Sequence, residues 1–163
     1  MDKYKISFYR EIYKLTRYRY IKGILKEFRQ HGDTSVWEHS RNVAYKCYVI
    51  AKIIEKNYDV KFNYDELIVG AYLHDFFLYD WHEKADWHKW HGFKHPMIAA
   101  NNADRMFGIT DKERLIIESH MWPLNITKLP KSKEAILVCL VDKIETLKEI
   151  AKKVENEIFE IYF

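Results

Sequence analysis

Apolar residues recur along this chain at helical spacing, with few of the alternating runs that mark strands. Val36, Val43, Cys47, Ile50 and Ile54 fall on one face of a helix. Ser35 stands as its N-cap with Glu38 three residues on, a capping box, and the helix is expected to run to about Asn57. The aromatic and basic first thirty residues predict one or two helices that end at Gly32. The run "LIVGAYL" belongs to a helix from about Tyr64 to Asp75. Pro96 suits the first position of the next helix, which makes His95 its cap, and that helix ends near Phe107 and Gly108. Thr110 caps "DKERLIIESHMW", which stops at Pro123. The last long helix runs from about Ser132 to Lys153. Its tail "ENEIFEIYF" reads as a helical extension, a packing arm or a homodimer contact. The expected fold is therefore all-α: one domain over 1–163, six or seven helices, no repeat and no linker.

Composition agrees with that picture. Of 163 residues, 48% are apolar and 31% charged, a balance that suits a folded core and argues against disorder. With 5 glycines and 3 prolines, the turn signals of an all-β protein are missing. A net charge of +3 is too small to argue for a nucleic-acid partner, and it is compatible with a small phosphorylated substrate. Cys47 and Cys139 lie in apolar helical patterns and are expected as reduced core residues. The longest apolar run, "AILVCLV", is too short to span a bilayer. No membrane partner is expected, and the cytoplasm is the expected location.

The polar residues on inward stripes need an explanation. His39, His74, Asp75, His120 and Asp142 fall on or at the ends of apolar faces of different helices. A lone histidine there is usually a satisfied core residue, and a lone aspartate a cap. Two buried carboxylates without basic partners would cost several kcal/mol. A divalent cation would compensate both, and imidazole with carboxylate suits iron, manganese, nickel, cobalt or zinc.

The ordered set "EHSRNVA", "AYLHD" and "LVDKIE" resembles the HD-domain metal-dependent phosphohydrolases over about residues 35–150. The resemblance implies that His39, His74, Asp75 and Asp142 hold a metal. Some members hold a second ion with two further histidines, and His95 and His120 stand in the expected order. Asp75 would then bridge two divalent ions per chain, with Asp75 and His74 as catalytic residues. The implied reaction is hydrolysis of a phosphate ester of a nucleotide or other small metabolite by a metal-activated hydroxide. The substrate could be a monoester or a diester. One branch of the family continues the pair with Ile-Gly-Lys; here Phe76, Phe77 and Leu78 follow, so substrate rules from that branch do not transfer.

The segment "WHEKADWHKWHGFKH" reads either as a lid over the metals or as surface chain whose tryptophans cover the core. As a lid, Lys84, Lys89 or Lys94 would meet phosphate, and Trp81, Trp87 or Trp90 would stack on a base. A separate zinc site from His88, His91 and His95 is a further reading. Met121, Trp122 and Pro123 either shape the pocket floor or simply turn the chain and pack, and Lys143 either contacts phosphate or pairs with Asp142. Arg41, two residues after His39, should point off that face. Two other functions compete with hydrolysis: a non-catalytic metal-binding or ligand-sensing module, and oxygen chemistry at a di-iron site.

Overall fold

The computed structural model describes residues 3–14, 18–83 and 89–162. Seven helices lie among them: α1 (Lys3–Lys14), α2 (Tyr18–Leu25), α3 (Val36–Asn57), α4 (Tyr64–Leu73), α5 (His91–Phe107), α6 (Asp111–Ser119) and α7 (Lys133–Tyr162). No strand occurs among the described residues; one isolated bridge pairs Arg29 with Ser35. The fold is all-α, as the apolar spacing predicts.

α3 starts where the sequence says it should. The Ser35 hydroxyl accepts from the Glu38 amide, and the Glu38 carboxylate accepts from the Ser35 amide at 3.1 Å. Thr110 and Glu113 repeat the device at the head of α6. α3 then lies at the centre, packed against α1, α2, α4 and α7, while α6 packs on α4, α5 and α7. Val43, Cys47 and Ala51 of α3, Leu67, Ile68 and Ala71 of α4, and Ile116, Ile117 and Val138 of α6 and α7 form the core. Both cysteines are free and buried. The α4–α6 crossing is close: a Cβ added at Gly70 would stand 2.6 Å from Ile116 Cγ2.

Several boundaries differ from expectation. α2 ends at Leu25, well before Gly32, because Glu27–Thr34 form turns hydrogen-bonded among themselves and to α3. α4 ends at Leu73 and α6 at Ser119, each with a histidine as C-cap. α5 begins at His91, so Pro96 lies inside the helix and His95 is a helical residue, not a cap. Proline removes one amide donor there, and the rest of the turn still closes through Trp90 O, which accepts from Phe93 and Lys94. α5 stops at Gly108, whose φ of 60° is a conformation glycine adopts readily. α7 runs through Lys153 to Tyr162, so the tail is a helical extension as far as Tyr162.

Candidate metal centre

Five helices converge on one buried cluster. His39 comes from the first turns of α3, His74 and Asp75 from the end of α4, His95 from α5, His120 from the end of α6, and Asp142 from the middle of α7. All six are buried, from 0% exposed for His39 and His74 to 6% for Asp142.

The local structure sets how each imidazole faces. His74 and His120 cap their helices in right-handed helical geometry. Each ring turns its Nδ1 onto a carbonyl three residues back, His74 to Ala71 O at 2.8 Å and His120 to Ile117 O at 2.7 Å. His95 Nδ1 reaches His91 O at 2.9 Å. A carbonyl only accepts, so Nδ1 carries the proton in all three, and in the neutral ring the inward Nε2 is a lone pair. His39 is oriented instead by a carboxylate: its Nδ1 lies 3.0 and 3.1 Å from the two oxygens of Glu149. Such outer partners fix the ring and raise its basicity as a ligand.

The two oxygens of Asp75 face different neighbours. Oδ2 lies 3.3 Å from His74 Nε2 and 3.9 Å from His39 Nε2, and it accepts from Gln30 Nε2 at 2.6 Å. Oδ1 lies 3.2 Å from His95 Nε2 and 3.6 Å from His120 Nε2. Asp142 Oδ1 closes the first group, 3.1 Å from His39 Nε2 and 3.4 Å from His74 Nε2. The ligand atoms of His39, His74 and Asp142 lie within 4.8 Å of one another, as do those of His74, Asp75 and His120.

This donor set fits divalent metal. His95 Nε2 and His120 Nε2 stand 2.8 Å apart, and with both Nδ1 atoms donating to carbonyls, two neutral rings would oppose lone pair to lone pair. Asp75 Oδ1 and His74 Nε2 are buried without a hydrogen-bond partner. Buried polar atoms left so cost about 1–3 kcal/mol each. A cation between these atoms resolves both problems, and nitrogen with carboxylate oxygen is the set that zinc, iron and manganese accept.

The charges fit as well. Burial raises the Asp75 carboxyl, but the His74 charge and the facing His74 and His95 rings outweigh it and hold it well below the usual range. Asp142 behaves alike beside His39 and His74. Burial lowers His74, and the Asp75 and Asp142 carboxylates more than reverse this. Burial, then the nearby His95 and His74, take His120 down to about 3. The cluster thus holds two ionised carboxylates whose only charged partners among the described residues are histidines.

Lys94 is exposed on α5. Lys143 Nζ donates to His120 O at 2.8 Å and Cys139 O at 3.2 Å, tying α7 to the end of α6 and not pairing with Asp142. Trp122 is half-buried, with its carbonyl accepting from the Cys139 thiol at 3.2 Å. The Arg41 guanidinium sits over the Trp37 ring at 4.6 Å, off the His39 face as expected. Lys84, Trp87 and His88 lie outside the described residues. The His91 and His95 rings stack at 4.5 Å, and His91 Nδ1 meets Tyr79 OH at 2.8 Å. Trp81 also stacks on His91, at 5.1 Å.

Sequence reading missed Glu149 and Gln30. Glu149 stands seven residues after Asp142, on the same stripe of α7, and that spacing could have found it. Gln30 sits in a turn and carries no such signal.

Comparison with protein families matches the HD domain over residues 36–147. The chain belongs to the HD-domain family, a superfamily made up mostly of hydrolases whose members typically bind divalent metals. Neither a search of curated proteins nor one of solved structures found a match.

Proposed function

We propose that this chain is a metal-dependent phosphohydrolase that cleaves a phosphate ester of a nucleotide or another small phosphorylated metabolite. The observation that carries the reading is the division of Asp75 between two ligand groups. Oδ2 faces His39 and His74, and Oδ1 faces His95 and His120. A single structural ion would need one group only. Divalent ions held there would supply Lewis acidity toward a phosphoryl oxygen and a water acidic enough to serve as nucleophile at neutral pH. The chain's own residues hold that chemistry in place. Glu149 keeps the His39 ring turned inward, and Gln30 fixes the rotation of the Asp75 carboxylate. Burial of all six ligands keeps bulk water from screening the centre.

The test is a panel of phosphomonoesters and of linear and cyclic dinucleotides, assayed with added manganese. Turnover by the wild type, with metal and turnover both lost in His74→Ala and Asp75→Ala, supports the reading. Full metal content and activity in those variants would end it. Bound metal without turnover on any ester would favour the sensing function.

A further inference from the structure

We infer that the outer face of α7 pairs with the same face of a second copy of this chain, the two helices running antiparallel. The inner face of α7 carries Val138, Asp142, Glu145 and Glu149. The opposite face is apolar and exposed. Ile144 is 48% exposed, Leu147 67%, Ile150 42% and Val154 47%. From Ile150 to Asn156 every residue is exposed. A stretch of helix with so little packing is marginal in water on its own.

The spacing specifies what covers it. Leu140, Ile144, Leu147, Ala151 and Val154 follow one another at intervals of four, three, four and three. The same alternation continues in the sequence to Ile158 and Ile161. This is the heptad pattern whose seam matches another helix with the same repeat. The surface of a protein's own domain rarely presents such a partner, whereas a second copy always does.

Charge then sets the direction. With Ile144 and Ala151 at position a, Lys148 and Glu155 fall at e, and Ile150 at g. In a parallel pair, Lys143 stays tied to the end of α6 and Ile150 of one copy would face Glu155 of the other, so no ion pair forms across the seam. In an antiparallel pair, e faces e, and with Ala151 set against Val154, Lys148 of each copy falls opposite Glu155 of the other. Two-fold symmetry makes that pair twice. The four exposed apolar residues offer on the order of 350 Å² per copy, already large for a monomer patch. Two such faces, with the aliphatic stems beside them, approach the roughly 1,200 Å² at which stable interfaces begin.

The test is sedimentation or light scattering of the full chain over a range of concentration. A dimer is expected for the wild type. Leu147→Glu and Val154→Glu should give monomers with unchanged helical circular dichroism and unchanged metal content. Lys148→Glu should weaken dimerisation by about tenfold, and adding Glu155→Lys should restore it. A wild type that stays monomeric up to its solubility limit would overturn the inference. So would a dimer that survives Leu147→Glu, or one whose strength Lys148→Glu leaves unchanged, which the parallel arrangement predicts.

Discussion

His74 and His120 occupy the same station on two different helices, a C-cap with Nδ1 turned back onto the last turn. That local bond needs nothing from the rest of the fold. The orientation of His39 depends instead on Glu149, a partner 110 residues away that only the structure reveals. Glu149→Gln should therefore weaken metal binding by about 10–100-fold while leaving the helices intact, read by competition with a chromophoric chelator. The protonation of His39 gives a second test. Burial lowers it, but the hydrogen bonds to Asp142 and Glu149 outweigh burial and raise it from 6.5 to about 9. A proton held more tightly in the folded state stabilises the metal-free protein fully below pH 6.5, and that contribution fades as pH rises to about 9. Metal must displace the same proton, so metal affinity moves the other way. Calorimetric titration should show tighter binding at about pH 8 than at about pH 6, with proton release at both. Affinity that falls over that range would contradict the assignment of His39 as a ligand.

At the scale of elements, helix starts are set by short-range chemistry and were readable. The Ser35–Glu38 and Thr110–Glu113 boxes stand where the sequence places them. Helix ends and the start of α5 were less so. Pro96 has a strong preference for a first turn, yet packing carries α5 back to His91, and this sets the His95 ring against His120. The α4–α6 crossing matters most to the site. Gly70 against Ile116 lets the two helices approach until the His74 and His120 rings stand 4.9 Å apart. Gly70→Ala forces Ile116 or the backbone to move. It should cost about 1–3 kcal/mol in denaturant unfolding and lower metal affinity as well. Loss of stability without change in metal binding would mean that the crossing does not set the ligand geometry. Ser35→Ala removes only a cap, and should cost about 1 kcal/mol with metal affinity nearly unchanged.

For the whole molecule, the six candidate ligands come from five helices, so a bound metal would join nearly every layer of the core. Binding to the folded state alone adds about 2.7 kcal/mol at a free metal concentration one hundred times the dissociation constant. Thermal melts should accordingly shift upward with manganese or zinc and downward with chelator. The order of the candidate ligands along the chain, and their division into two groups around Asp75, are what the family resemblance implies. Which Asp75 oxygen faces which group depends on how the helices pack, and only the structure gives it. The substrate candidates fared differently again. Lysine carries no periodic signal, and Lys143 proves to hold the end of α6. No helix among the described residues is long and apolar enough to cross a membrane. The most direct measurement is metal stoichiometry, by elemental analysis of protein purified without chelator. A centre bridged by Asp75 predicts two equivalents per chain for the wild type and about one for His120→Ala. No metal retained after soaking with several divalent ions, or the same content in His74→Ala, Asp75→Ala and wild type, would contradict it.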